Sequence, residues 1–414
     1  MNCPVLWYIL VDTKEVHMKR TKLLQEILMF RFKEAYQGWQ EKKLTQEDAA
    51  RLLGVSDRTF RRYLVDYKEE GIQGLVDDRW SRISHRKAPV NEIMELKELY
   101  SKKYFGWNVK HFFSFYSRKH NGARGYTWVK TTLQNEGLVA KTSQKGPHRK
   151  RRERMPAKGM MIHQDGSTHQ WIQGEEWDLI ITFDDADSEH YSMFFVEEEG
   201  TDSSFLGVKE TIEKQGVFCS FYTDRGSHYW HTPEAGGPVN KTQFTQVRRG
   251  LHQLGINMIP AYSPEARGRC ERQFRTHQGR LPNELAAMGI RTMEEANRYL
   301  KEVYMPAFNA EFMVTPYSDK SAFVPWNNIM SLDDVLCEHF ERTVGKDNCV
   351  SFDNLKLQIQ KDDHRCHYNK TKVRVHRYTS NELAIFHGPR KLADYDSKGK
   401  IKVLVDEKEM NIAA

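Results

Sequence analysis

The stretch Met160-Met-Ile-His-Gln-Asp165-Gly-Ser-Thr-His-Gln-Trp171 decides how this chain is read. Residues 161–172 read as a strand with a turn, interrupted by the carboxylate of Asp165. Downstream, Val217-Phe-Cys-Ser-Phe-Tyr-Thr-Asp224-Arg-Gly-Ser-His228 reads as a short buried strand that Asp224 closes, followed by an exit loop. A third acid lies in Ser263-Pro-Glu-Ala-Arg-Gly-Arg-Cys-Glu271-Arg-Gln-Phe-Arg275. Ser263 and Pro264 suit the cap and first turn of a helix, with Cys270, Phe274, His277 and Leu281 near one face.

Between these acids the chain alternates. Trp177–Phe183 and His190–Val196 predict two strands, joined by a hairpin at Asp184-Asp-Ala-Asp-Ser188. Residues 203–215 and 242–254 predict helices, and Ile256–Ile259 a fifth strand. Three strands, helix, strand, helix, strand, helix is the order of a ribonuclease-H-like α/β fold. The acids stand 59 and 47 residues apart, so only tertiary structure can unite them. In such a sheet, Asp165 would lie on the first strand and Asp224 would leave the adjacent parallel strand. Glu271 would project from a helix beside that edge.

Three converging carboxylates are the donor set of a hard divalent ion, Mg²⁺ or Mn²⁺. Two such ions about 4 Å apart suit in-line displacement at a phosphodiester. The expected catalytic and metal-binding set is therefore Asp165, Asp224 and Glu271. The helix around Glu271 also carries Arg267, Arg269, Arg272, Arg275 and Arg280, which a phosphate backbone would explain. Competing acids have simpler explanations: Glu265 a favourable place in the helix dipole, and Asp184, Asp185 and Asp187 a hairpin turn.

Working outward, the 414-residue chain has a formal net charge of +7, with 39% hydrophobic and 29% charged residues, a balance that predicts several folded domains over disorder. Thr45 and Ser56 are placed to cap two short helices separated by Gly54, with Phe60, Tyr63 and Leu64 as the second helix's apolar side. This is a helix-turn-helix, whose second helix offers Arg58, Thr59, Arg61 and Arg62 to a major groove. Before it, residues 20–40 read as a helix with Leu23, Leu24, Ile27, Leu28, Phe30 and Phe32 crowding one side. A second helical set closes with Tyr126–Val139 and has a winged-helix character. The basic run Lys145–Arg154, with Arg149, Lys150, Arg151 and Arg152, reads as a linker able to lie along DNA.

After residue 291 the pattern is helical and connecting. Thr371–Tyr378, Leu383–Phe386 and Lys400–Val405 then predict strands of a small C-terminal β-barrel. The expected organisation is an N-terminal extension (1–20, with Met18 as an alternative start), a helix-turn-helix domain (21–90) and a second helical domain (91–144). A basic linker (145–158), an α/β core (159–290), a helical connection (291–349) and the barrel (350–414) complete it. Six scattered cysteines form no C-x-x-C pair, predicting reduced thiols in a cytoplasmic protein. No apolar run reaches membrane-spanning length.

The chain resembles DDE transposases of the retroviral integrase superfamily, most of all the insertion-sequence group ISNCY, from about Thr21 onward. The resemblance is carried by Gln164-Asp-Gly-Ser-Thr-His-Gln-Trp171, Tyr222-Thr-Asp-Arg-Gly-Ser227, Phe244-Thr-Gln246 and Ser263–Arg272. Phe308-Asn-Ala-Glu-Phe312 and the pair Val373-Arg-Val-His376 and Phe386-His-Gly-Pro-Arg390 extend it. It implies that Asp165, Asp224 and Glu271 form the catalytic triad and that the N-terminal helices bind terminal inverted repeats. It further implies end cleavage and strand transfer on double-stranded DNA, by at least a dimer because two ends must be synapsed. The second interval exceeds the retroviral spacing, through a loop at 228–241, and no His-His-Cys-Cys zinc module is present. A non-catalytic DNA-binding regulator, an inactive remnant, and a nuclease that only hydrolyses remain as alternative readings.

Overall fold

The computed structural model describes residues 13–76, 88–141, 152–234, 237–240, 242–262, 267–327, 330–361 and 365–402, with side chains from residue 24. Arg149, Lys150, Arg151, Ser263, Pro264 and Glu265 lie outside the described residues. The chain divides into two compact units, Met1–Ile93 and Met94–Ala414.

The first unit holds α1 (Thr13–Gln40), α2 (Gln46–Leu53) and α3 (Asp57–Glu70), closed by a 3₁₀ turn at Gly71–Leu75. The Thr45 side chain accepts from the Asp48 N–H, and that of Ser56 from Thr59 N–H, fixing the two helix starts. Gly54 ends α2 at φ 75°, a backbone state that glycine reaches without strain. Phe32, Ala35, Ala49, Ala50, Leu53, Phe60, Leu64 and Leu75 form the core. The expected apolar side of α1 is only partly used. Leu24, Ile27 and Phe30 are exposed, and the buried stripe runs through Phe32 and Ala35, which face α2 and α3. Helix already begins at Thr13, inside the expected extension.

Helix α4 (Val90–Lys103) runs across the boundary between the units, and its part from Met94 onward packs with α5 (Val109–Lys119) and α6 (Tyr126–Asn135) around Leu96, Tyr100, Phe112, Phe115, Val129 and Leu133. Then come β1 (Ile162–Ile172), β2 (Glu175–Asp184), β3 (His190–Val196), α7 (Thr201–Gln215), β4 (Ser220–Thr223), α8 (Gln246–Gln253), β5 (Asn257–Pro260) and α9 (Gly268–Gln278). Their sheet has the order β3-β2-β1-β4-β5. The first three strands are antiparallel, while β4 runs parallel to both β1 and β5. The expected element order is met, although β1 is one continuous strand whose only irregularity falls at Gln170/Ile172.

Apolar layers cover both faces of this sheet. Ile162 and Phe221 pack with Phe205, Val208, Val247 and Leu251 from α7 and α8. Leu179, Ile181 and Phe183 pack with Cys270 and Phe274 of α9, and with the helices α10 (Leu281–Ala287), α11 (Met293–Tyr299) and α12 (Met305–Phe312). A π turn at Leu300–Tyr304 joins α11 to α12. His111 of α5 meets the buried Glu284 of α10 at 2.7 Å, docking the three-helix part on this layer. Helix α7 approaches the sheet closely at Gly207, where a Cβ would come within 2.2 Å of Gln164 Nε2 and 2.6 Å of Thr182 Oγ1.

The C-terminal part differs from expectation. After α13 (Leu332–Val335) come β6 (Glu338–Thr343), β7 (Cys349–Phe352), β8 (Leu355–Gln358), β9 (Lys372–Arg377), β10 (Leu383–His387), β11 (Arg390–Tyr395) and β12 (Ile401–Lys402). They form an open sheet, β12-β11-β10-β9-β6, and a separate β7-β8 hairpin, so the described strands make no closed barrel. Strand β6 lies in a stretch expected to be helical. Its sequence, Glu-His-Phe-Glu-Arg-Thr, lacks apolar alternation, and its pairing with β9 along the whole strand supplies the order instead. Residues 403–405 of the last predicted strand lie outside the described residues.

Candidate active site

The parallel register of β1 and β4 pairs His163 with Tyr222, and Asp165 and Asp224 each follow two residues later. Both carboxylates therefore leave the sheet at one level, on neighbouring strands. Alternation along β1 sends Ile162 and Gln164 toward α7, and His163 and Asp165 toward α9. Accordingly, Gln164 Nε2 donates to Thr182 Oγ1 and Ser204 O, and Gln164 Oε1 accepts from Tyr229 Oη at 2.8 Å. This fully buried amide is held from three sides and fixes the pleat next to Asp165.

One guanidinium joins the two acids. Arg267 Nη2 donates to Asp165 Oδ1 at 2.5 Å, and Arg267 Nη1 stands 3.8 Å from Asp224 Oδ2. Burial raises the Asp165 carboxyl to about 6; Arg267 opposes that shift, and the charges of Asp224 and Glu199 add to it. Burial disfavours the Arg267 charge, but the Asp165 hydrogen bond and the charges of both acids hold it protonated. Its Nε is buried without a hydrogen-bond partner among the described residues.

Glu271 lies one turn along α9. It is exposed, and with Asp224, Arg225, Gly226, Ala261, Tyr262 and Arg267 it lines an open cavity of about 500 Å³. The three acids thus share a neighbourhood through Arg267 and this cavity. Among the described residues, they do not bring three ligand oxygens within 4.8 Å of one another. As donors they fit a hard divalent ion, being oxygen ligands with one buried carboxylate balanced by a single shared cation. Loading an ion there requires the guanidinium to give way.

Two residues that sequence reading missed border the site. Glu199, just before α7, stands so close to Gly166 that a Cβ there would meet Glu199 Oε2 at 2.2 Å. His228 Nε2 lies 3.5 Å from Glu199 Oε1. His228 was visible at the end of the Asp224 motif. Glu199 carried no signal, being one of three consecutive glutamates.

The predicted DNA-contact arginines divide into groups. Arg152 and Arg269 both bond the carboxylate of Asp185, which is fully buried and also bonded to His163 Nε2 and Met155 N–H, both at 2.7 Å. Burial alone would raise the pKa of Asp185, but the His163 bond and charge, then Arg269 and the Met155 N–H, hold it well below the carboxylate range. Arg280 is likewise engaged, forming a fork with both oxygens of Glu311 at 2.9 Å. Arg272 and Arg275 are exposed on α9. On α3, Arg58, Arg61 and Arg62 are exposed, with Arg61 3.3 Å from Asp57, while the hydroxyl of Thr59 meets that of Ser56 at 2.8 Å.

Known proteins give this arrangement a context. The family described as winged helix-turn helix matches residues 33–89, which include the capped helix pair. The putative transposase y4bF of Sinorhizobium fredii (strain NBRC 101917 / NGR234) is 26% identical over 381 residues, covering 89% of this chain and 82% of that protein. The transposase for insertion sequence IS1202 of Streptococcus pneumoniae is 25% identical over 354 residues, covering 75% and 74%. Over most of its length the chain is thus similar to two transposases, one of them the transposase for an insertion sequence. Solved structures add only a loose likeness. A simian T-cell lymphotropic virus intasome in complex with PP2A regulatory subunit B56 gamma covers 72% of this chain and 99% of that one, at 13% identity and TM-score 0.33. The HTLV-2 integrase catalytic core domain in complex with magnesium covers 34% and 82%, at 13% identity and TM-score 0.27. Among the described residues, no helix is long and apolar enough to cross a membrane.

Proposed function

We propose that the chain is a DDE-type polynucleotidyl transferase that binds the inverted-repeat ends of an insertion sequence, cleaves there, and joins those ends to target DNA. The observation that carries this reading is the meeting of Asp165 and Asp224 on one guanidinium at the ends of adjacent parallel strands. Glu271 stands at the rim of the same cavity and completes the acid set. The similarity to transposases over most of the chain supports the substrate class.

Asp165, Asp224 and Glu271 would hold Mg²⁺ or Mn²⁺, two ions in all, and such ions supply Lewis-acid activation of a hydroxyl and stabilisation of the leaving oxygen. The chain's own residues do the rest. Gln164 and Tyr229 keep Asp165 aimed. Arg267, released from the acids, can bond a phosphate in their place, because guanidinium matches both groups. Arg272 and Arg275 offer further charge to the backbone of double-stranded DNA, and α3 offers Arg58 and Arg62 to a groove. Joining two ends calls for at least a dimer on DNA.

The test is strand transfer into a supercoiled plasmid with Mg²⁺, comparing the full chain with Asp224→Asn. Joining by the parent and not by the variant is the expected result. Equal joining would reject the assigned site, and metal-independent binding without nicking would establish the regulator reading instead.

A further inference from the structure

A second set of candidate ligands lies far along the chain from the carboxylates and has opposite chemistry. In the β6-β9 ladder, His339 stands directly opposite His376. Cys337 lies immediately before β6, two residues ahead of His339. Ligand atoms of Cys337, His339 and His376 all lie within 4.8 Å of one another. His376 is 2% exposed, and neither of its ring nitrogens has a hydrogen-bond partner among the described residues. A buried imidazole normally satisfies both nitrogens, so this omission needs a cause.

The surroundings prepare the set for a metal. His339 Nε2 donates to Asp334 O at 2.9 Å, which leaves Nδ1 as the lone-pair nitrogen. Fixing one nitrogen on a backbone carbonyl to expose the other is how ligating histidines are oriented. Asp334 and Glu338 place negative charge beside Cys337, and because burial and these acids push its thiol up to about 12, a metal would have to displace the thiol proton. The two rings stack at 3.7 Å and 13°, so one must turn for both nitrogens to face one ion.

We propose that Cys337, His339 and His376 bind one zinc-type divalent ion. A thiolate and two imidazoles favour Zn²⁺ over the hard ions suited to the carboxylates, and three ligands leave one position for water or a further donor. The ion has an architectural consequence. Arg249 of α8 donates to the carbonyls of Val335 and Cys337, and Gln246 of α8 exchanges hydrogen bonds with the backbone of His339 at 2.9 and 3.0 Å. A metal joining Cys337 and His339 to β9 would therefore fasten the C-terminal sheet to a helix of the central α/β layer.

The experiment titrates Co²⁺, as a spectroscopic substitute for Zn²⁺, into the reduced, metal-stripped full chain without DNA. One equivalent should bind with a thiolate-to-cobalt charge-transfer band in the near ultraviolet, and Zn²⁺ should abolish that band. Cys337→Ser should remove it. His376→Phe, which keeps the ring that stacks on Phe386, should weaken Co²⁺ binding by about 100-fold or more. Cys366→Ser and Asp224→Asn should change neither the band nor the affinity. A parent protein without the band, or a band that persists in Cys337→Ser, overturns the proposal. If circular dichroism shows Cys337→Ser to be unfolded, unaltered Co²⁺ affinity in His376→Phe overturns it alone.

Discussion

Asp165 and Asp185 are both buried, both lie on the α9 side of the same sheet, and both bond arginines from the chain around α9, yet their chemical states diverge. Asp185 receives Arg152, Arg269, His163 and the Met155 N–H, and its charge is held firmly. Asp165 has one arginine, which it shares with Asp224, and burial raises its pKa to about 6. A carboxylate whose lone pairs are filled by the protein is committed to the fold. One left short of partners keeps capacity for an ion or a substrate. Acid count and burial do not separate these roles, but the number of donors does.

Substitution should separate them most strongly. Replacing Asp165 or Asp224 by Asn should lower strand transfer by on the order of 1,000-fold or more, with no loss of thermal stability. Joining assays and melting curves on the same preparations check this, and a variant that melts early would move Asp165 to the structural class. For Asp185→Asn the effect should fall on folding. Two arginines and a histidine lose their anion, at about 3–5 kcal/mol. Urea unfolding measures it, and an unchanged midpoint would undo the contrast.

Acidity offers the next distinction. The folded pKa of Asp165 is raised to about 6 from an ordinary 3.8. Below the lower value both states hold the proton, and no penalty exists. As pH rises through this window, the unfolded chain ionises first and folding loses ground; above it the loss is constant, at about 3 kcal/mol. Unfolding free energies of the parent should thus fall relative to Asp165→Asn between pH 4 and 6. Asp184, also raised to about 6 by burial, is present in both proteins and cancels. A difference that stays flat with pH would contradict the burial argument. The smallest effect belongs to the other unit: Arg62→Ala on α3 should reduce the slope of DNA affinity against salt by about one, without changing strand-transfer chemistry. Fluorescence anisotropy at several salt concentrations reads this, and an unchanged slope would take Arg62 out of the interface.

Local signals were legible wherever they were covalent neighbours. Thr45, Gly54 and Ser56 announced two helix starts and a stop, and all three act as the sequence suggests. The level of Asp165 and Asp224 followed from element order, because parallel β1 and β4 place the residues after them side by side. What could not be read depended on distant partners. Asp184, Asp185 and Asp187 read simply as a hairpin turn, yet they are buried, and Arg152, Arg269 and Lys158 reach Asp185 and Asp187 from elsewhere. The role of Arg267 was equally hidden: as one arginine among five on a basic segment, nothing local marked it as the shared counter-ion. Strand β6 was missed because β9 supplies its order, and Cys337, His339 and His376 went unnoticed because a strand ladder unites positions almost forty residues apart.

Gly207 shows how far such dependence extends. Its missing side chain lets α7 settle against Gln164, whose neighbour on β1 is Asp165. An alanine there would act as a wedge: the helix would have to lift, Gln164 would lose its seat, and the next peptide along β1 would tilt. The direction in which a carboxylate faces is thus set partly by a methyl group's absence on the opposite face of the sheet. A screen confined to charged residues would overlook the position.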